Sequence, residues 1–242
     1  MKYLRLLYFL YVLIAIFAGC KKEGAPGAIF PPYPIKPINV QGDTLAKTYL
    51  ALGDSYTIGE GVTEPERYPS QALRILVSQG IKFSPVKYIA QTGWTTTDLS
   101  AAIDYQKISG PFDLVTLMIG VNDQYQKNDT TGYRANFTKL LEKSIQLAGY
   151  RTSRVIALSI PDYGVTPFGQ GWLNVSKQID EFNEINKSVT VSHDVAYLDI
   201  TGISRKAAKT PGLILTGGPH FTGVEYGLWA TPLSVLLTKA LK

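Results

Sequence analysis

Five short apolar runs, separated by stretches of helical spacing, constrain this chain more than any other feature. The runs are Tyr49–Leu52, Val86–Ala90, Leu114–Ile119, Val155–Ile160 and Val195–Leu198. Between them lie Ser70–Gln79, Thr97–Lys107, Gly132–Ala148 and Ser176–Thr190, and Val224–Leu241 forms a last helical segment. Continuously apolar strands belong to sheets covered on both faces. Strands alternating with helices make βαβ units, whose strands run parallel. The expectation is an α/β domain: a three-layer α/β/α sandwich with a central, mostly parallel five-stranded sheet.

A length of 242 residues fits one such domain and is short for two. The first twenty residues stand apart. Met1–Arg5 is basic, and Leu6–Ala18 is apolar but shorter than the roughly 20 residues of a membrane-spanning helix. The run ends in Phe17-Ala18-Gly19-Cys20, and Cys20 is the only cysteine of the chain. This pattern resembles a bacterial lipoprotein signal, which implies removal of residues 1–19, lipidation of Cys20, and a place in the bacterial cell envelope outside the cytoplasm. A single cysteine leaves nothing for a disulfide. The segment that follows holds Pro26, Pro31, Pro32, Pro34 and Pro37 and reads as an extended tether. The expected organisation is a signal over 1–19, a lipidated cysteine and tether over 20–46, and a domain over 47–242. Losing Lys2 and Arg5 with the signal lowers the net charge from +5 to +3, and the remaining bases are scattered among acids. No nucleic-acid footprint is present.

Chemistry concentrates immediately after the strands. The first is followed by Gly53-Asp54-Ser55, the second by Gln91-Thr92-Gly93-Trp94, the third by Gly120-Val121-Asn122-Asp123, and the fourth by Pro161-Asp162-Tyr163-Gly164. In a parallel sheet all four loops open on one edge, where such folds bind ligands. Acyl transfer to a serine needs a hydroxyl, a base and donors for a developing oxyanion. Ser55 offers the hydroxyl; its bland alternative is a helix cap. The chain has two histidines. His193 precedes the fifth strand at the opposite edge and reads as a surface residue. His220 lies in the turn-rich Thr216–Gly223 loop before the last helix. Two distant histidines offer no metal-ligand spacing, and no phosphate-binding glycine loop is present, so neither metal nor cofactor is expected.

Gly53-Asp54-Ser55 with Gly59, then Gly93, then Gly120-Val121-Asn122-Asp123, then His220, resembles the GDSL/SGNH hydrolase family across residues 48–242. The resemblance implies a flavodoxin-like order of the sheet and a serine esterase or lipase-like activity. It implies Ser55 as nucleophile, His220 as general base and then acid, and an oxyanion hole of the Ser55 and Gly93 backbone N–H groups with the Asn122 side-chain amide. No Gly-x-Ser-x-Gly elbow surrounds Ser55, which sets the chain apart from α/β-hydrolases. Asp54 and Asp123 are expected to hold turns rather than to touch substrate.

One position departs from the pattern. The acid that orients the histidine in this family stands three residues before it, and here that residue is Gly217. Three readings are open: a backbone carbonyl of Thr216–Gly218 orients the ring of a Ser–His dyad; Asp199 or Glu225 substitutes; or the site is a weakened one that binds ligand, such as a glycan, and turns it over poorly. Transfer of the acyl group to another alcohol uses the same acyl-enzyme. Trp94, Tyr163 and Trp172, with Phe168 nearby, are the aromatic candidates for substrate contact on these loops, for an acyl chain or a sugar face. The expected partners are a small-molecule or glycan-borne ester and, through Cys20, a membrane.

Overall fold

A computed structural model of the chain describes residues 45–242. The expected signal, Cys20 and nearly all of the tether lie outside the described residues. Among the described residues no helix is long and apolar enough to cross a membrane.

The sheet has five strands: β1 (Tyr49–Gly53), β2 (Lys87–Ala90), β3 (Leu114–Met118), β4 (Val155–Leu158) and β5 (Ala196–Leu198). Their order is β2-β1-β3-β4-β5, and every pairing is parallel. β1 and β3 are buried at every residue and β4 likewise, which is why their sequences read as unbroken apolar runs rather than alternating ones. Tyr49 and Thr116, in adjacent strands, pair their hydroxyls at 3.0 Å inside this apolar layer.

Among the described residues, eight α-helices accompany the strands: α1 (Ser55–Ile58), α2 (Tyr68–Ser78), α3 (Thr96–Tyr105), α4 (Val121–Gln126), α5 (Thr130–Leu147), α6 (Val175–Ser192), α7 (Thr201–Lys206) and α8 (Gly223–Ala240). Chain direction across the sheet reverses after β2. Right-handed crossovers therefore place α2 on one face and α3, α5 and α6 on the other. α8 returns to pack on α2, with Trp229, Tyr226 and Tyr68 buried and ring centroids of 4.9 and 6.2 Å along the seam. α5 packs between α3 and α6 on the opposite face. The result is the three-layer arrangement expected, with the strand order of the flavodoxin type.

The reversal also decides where a ligand goes. In open parallel sheets the crevice opens at the carboxyl ends of the two strands from which the chain departs in opposite directions. Here those strands are β1 and β3, and Ser55 and Asn122 follow them. Gly53 closes β1 against a tight neighbour, since a Cβ there would collide with Thr57 Oγ1 and the Met118 carbonyl. A larger residue would push the Ser55 turn away from β3.

Candidate active site

The turn after β1 is built by Asp54. Its Oδ1 accepts from the Tyr56 N–H at 3.0 Å and caps α1, so Ser55 is the first residue of that helix rather than its cap. Asp54 is fully buried and its other carboxyl oxygen has no hydrogen-bond partner among the described residues. Burial, opposed by the bond from Tyr56, pushes its carboxyl up to about 8, so it holds its proton at neutral pH. The Ser55 N–H is one of the orphan donors that a first helical turn leaves free.

After β2, Gly93 adopts φ +81°, a left-handed conformation that disfavours any side chain. A Cβ at this position would meet nothing within 4 Å, so the backbone angle and not crowding calls for glycine. Asp123 holds the loop down: its carboxylate accepts from the Thr96 N–H at 2.9 Å and the Thr96 hydroxyl at 2.5 Å, across from α4 to the start of α3. Asn122 donates its side-chain amide to the Trp94 carbonyl at 3.0 Å, and Gln126 donates to the Gly93 carbonyl at 3.0 Å. With one amide hydrogen committed to Trp94, the Asn122 NH₂ group has a second to offer.

His220 arrives from a hairpin-like loop. The Leu215 N–H donates to the His220 carbonyl at 3.0 Å, the Thr222 N–H to the Leu213 carbonyl at 2.9 Å, and Ile214 and Phe221 form an antiparallel bridge. The Tyr56 hydroxyl reaches across and donates to the Pro219 carbonyl at 3.0 Å, with its ring 5.1 Å from the imidazole. Gly217, near the tip, has φ +86°, and a Cβ there would touch nothing within 4 Å.

These pieces enclose a cleft of about 180 Å³ lined by Ser55, Tyr56, Thr92, Gly93, Val121, Asn122, Tyr125, Tyr163, Phe168, Pro219 and His220. The structure thus brings Ser55, Gly93, Asn122 and His220 to one cavity from four separate loops. Tyr163 lines it too, with its hydroxyl donating to Gln124 at 3.0 Å. Trp94 does not line it: its ring packs against the core and only its carbonyl, held by Asn122, belongs to the site. Trp172 lies beyond the cleft, stacked at 5.9 Å on Phe168 and 5.2 Å from Tyr125. Tyr125, absent from the aromatic candidates, lines the cleft because it projects from α4 one turn after Asn122. The sequence reading of this loop ended at Asp123, two residues before it.

None of the carboxylates weighed from the sequence touches the ring of His220. Asp199 is engaged with the Ser159 hydroxyl and the Thr201 N–H. Glu225 is buried in α8, accepting from the Trp229 indole N–H at 2.8 Å, and burial pushes its carboxyl up to about 7. No backbone carbonyl of Thr216–Gly218 accepts from the ring. The carboxylate beside it is that of Glu60, whose Oε2 lies 3.7 Å from His220 Nε2. The same oxygen accepts the Thr92 hydroxyl. Burial lowers the His220 pKa, and the Glu60 charge raises it in partial compensation. Glu60 sits in Gly59-Glu60-Gly61, and this acid between glycines directly after the serine helix was the one sequence signal for it. His193 caps the end of α6, with Nε2 3.7 Å from Glu142, remote from the cleft. Among the described residues no cluster of three or more His, Cys, Asp or Glu side chains is placed to hold a metal.

Solved structures share this architecture. A lipase/acylhydrolase from Enterococcus faecalis superposes with a TM-score of 0.60 at 23% identity, covering 81% of this chain and 97% of its own. A member of the lipolytic protein G-D-S-L family from Veillonella parvula gives 0.60 at 20%, covering 80% and 100%. An acetyl xylan esterase from Geobacillus stearothermophilus gives 0.59 at 17%, covering 79% and 94%. No curated protein sequence matches the chain. The model of the GDSL-like lipase/acylhydrolase family matches residues 51–226, from the middle of β1 into α8 and through every loop of the cleft. The chain belongs to the GDSL-like lipase/acylhydrolase family.

Proposed function

We propose that this protein is a carboxylic ester hydrolase that works through an acyl-enzyme on Ser55. The observation that carries the reading is the meeting of Ser55, Gly93, Asn122 and His220 in one cleft. Ser55 Oγ attacks the ester carbonyl carbon while His220 takes its proton. The carbonyl oxygen, now negative, accepts from the Ser55 and Gly93 N–H groups and from the free hydrogen of the Asn122 amide. Collapse of this intermediate breaks the bond to the alcohol, which leaves with the proton from His220. Water, deprotonated by the same ring, then attacks the acyl carbon and frees the acid and Ser55. A second alcohol in place of water gives acyl transfer by the same steps.

The cleft is small, which favours a short acyl group over a long chain. The neighbouring aromatics Tyr125, Phe168 and Trp172 are partly exposed and offer faces to the alcohol portion of the substrate. An acetylated sugar fits both features, in keeping with the acetyl xylan esterase among the structural neighbours. The Glu60 carboxylate beside His220 weighs against a site that only binds. Lipidation at Cys20 and a place in the bacterial envelope, through the membrane, belong to the same proposal.

The test is Ser55→Ala assayed on p-nitrophenyl acetate. Hydrolysis should fall by at least about 10⁴-fold with the circular dichroism spectrum unchanged. Activity retained by the folded variant would overturn the reading.

A further inference from the structure

We infer that Glu60 is the positioning residue of this site, acting on His220 from the loop after α1 in place of an acid at Gly217. The inference rests on the esterase reading above.

Two contacts carry it. Glu60 Oε2 lies 3.7 Å from His220 Nε2, and the Thr92 hydroxyl donates to that same oxygen. The Glu60 side chain is 42% exposed and would wander over solvent if nothing held it, whereas that of His220 is 13% exposed. Thr92 is the tie. It stands directly before Gly93, so one loop both offers the Gly93 N–H and steadies the carboxylate. The Glu60 backbone N–H bonds to the Ser55 carbonyl at 2.9 Å, which ties the acid to the nucleophile's own turn. Ser55, Glu60, Thr92, Gly93 and His220 are thereby linked as a unit.

The distance defines the action. At 3.7 Å the pair exceeds hydrogen-bond length, so Glu60 acts through charge rather than by fixing a tautomer. When the ring accepts the Ser55 proton it becomes cationic in a half-buried cleft, and a carboxylate at this range favours that form. Other titratable groups stand on the elements around the ring. Tyr56 lies against it in α1, Tyr125 and Tyr163 line the same cleft, burial favours the protonated form of Asp54 at the start of α1, and Tyr226 in α8 is buried. Glu225 faces Trp229 instead. Among the described residues, Glu60 is the carboxylate left to meet the imidazolium.

The experiment compares the full chain with Glu60→Gln and Glu60→Asp, in p-nitrophenyl acetate hydrolysis across pH and in an NMR titration of the imidazoles. The chain has two histidines, and His193 serves as an internal control. Glu60→Gln should lower kcat about 10- to 100-fold with KM nearly constant, less than the roughly 10⁴-fold loss at a buried orienting aspartate. It should also move the acid limb of kcat/KM to lower pH, because removing the negative charge lowers the His220 pKa. Glu60→Asp should restore part of both. A His220 titration unmoved by Glu60→Gln overturns the inference whether or not the chain hydrolyses esters. A titration that moves while kcat does not overturns it too. An inactive native chain whose His220 titration responds to Glu60→Gln defeats the esterase reading, and the positioning role with it, while leaving the ion pair itself established.

Discussion

The two walls of the cleft are held by different means. The wall after β1, β2 and β3 is tied at each turn to buried groups: Asp54 to the Tyr56 N–H, Asp123 to both Thr96 donors, Asn122 to the Trp94 carbonyl. The wall that carries His220 is a loop bonded mainly to itself, joined to the first through the Tyr56–Pro219 bond and the half-exposed Glu60. The first wall is rigid because unmaking any tie strands a buried polar group. The second can adjust, since water replaces what it loses. In the proposed mechanism, the groups that meet a developing oxyanion sit on the rigid wall, and the group that shuttles a proton sits on the adjustable one.

The sharpest way to strain this contrast is at Asn122. Asn122→Ala removes an amide donor and the tie to Trp94 together, and kcat should fall about 10²–10³-fold with little change in KM. Steady-state kinetics on a short ester reads the result. A loss below about threefold, far under that range, would show the rigid wall contributes no donor from this side chain.

A smaller effect is expected at Asp123, which does not line the cleft but holds the Thr96 turn. Asp123→Ala leaves the fully buried Thr96 N–H and hydroxyl without their partner. Urea unfolding should show a loss of about 1–3 kcal/mol. Because Gly93 lies three residues before Thr96, kcat should fall as well. An unchanged unfolding midpoint would mean that the first wall is no more tightly held than the second.

The same contrast sorts what was legible in the sequence. The strands were readable within one or two residues, because β1, β3 and β4 are buried on both faces and leave unbroken apolar runs. The long helices were readable from apolar residues at helical spacing. α4 and α7, six residues each, are too short to show a period. The rigid wall was readable because its residues follow strands, in loops where Ser55, Gly93 and Asn122 match the blocks of the family resemblance. Trp94 packs its ring against the core and does not line the cleft, a direction that its place after β2 does not encode. Glu60 was not readable as the partner of His220. Their meeting depends on how a loop 160 residues later in the chain settles over Gly61, where Leu215 packs so closely that a Cβ at Gly61 would collide with it. No local pattern encodes a contact of that range.

Gly217→Asp tests the adjustable wall with the smallest expected change. Residue 217 has open space around it, so a side chain enters without collision. Its φ of +86° costs a non-glycine residue about 1–3 kcal/mol, with aspartate among the more tolerant. With Glu60 already beside the ring, a second carboxylate adds little, and kcat should change by less than about threefold. Any added negative charge favours the imidazolium, so the acid limb of kcat/KM should move to higher pH, opposite in sign to Glu60→Gln. The double variant Glu60→Gln/Gly217→Asp should recover more activity over Glu60→Gln than Gly217→Asp gains over the native chain, because both acids act through one ring. Equal gains in the two backgrounds would make the sites independent and deny that they share it. A tenfold rise in the native background would mean that the adjustable wall lacks an effective acid, and that Glu60 only neighbours the histidine.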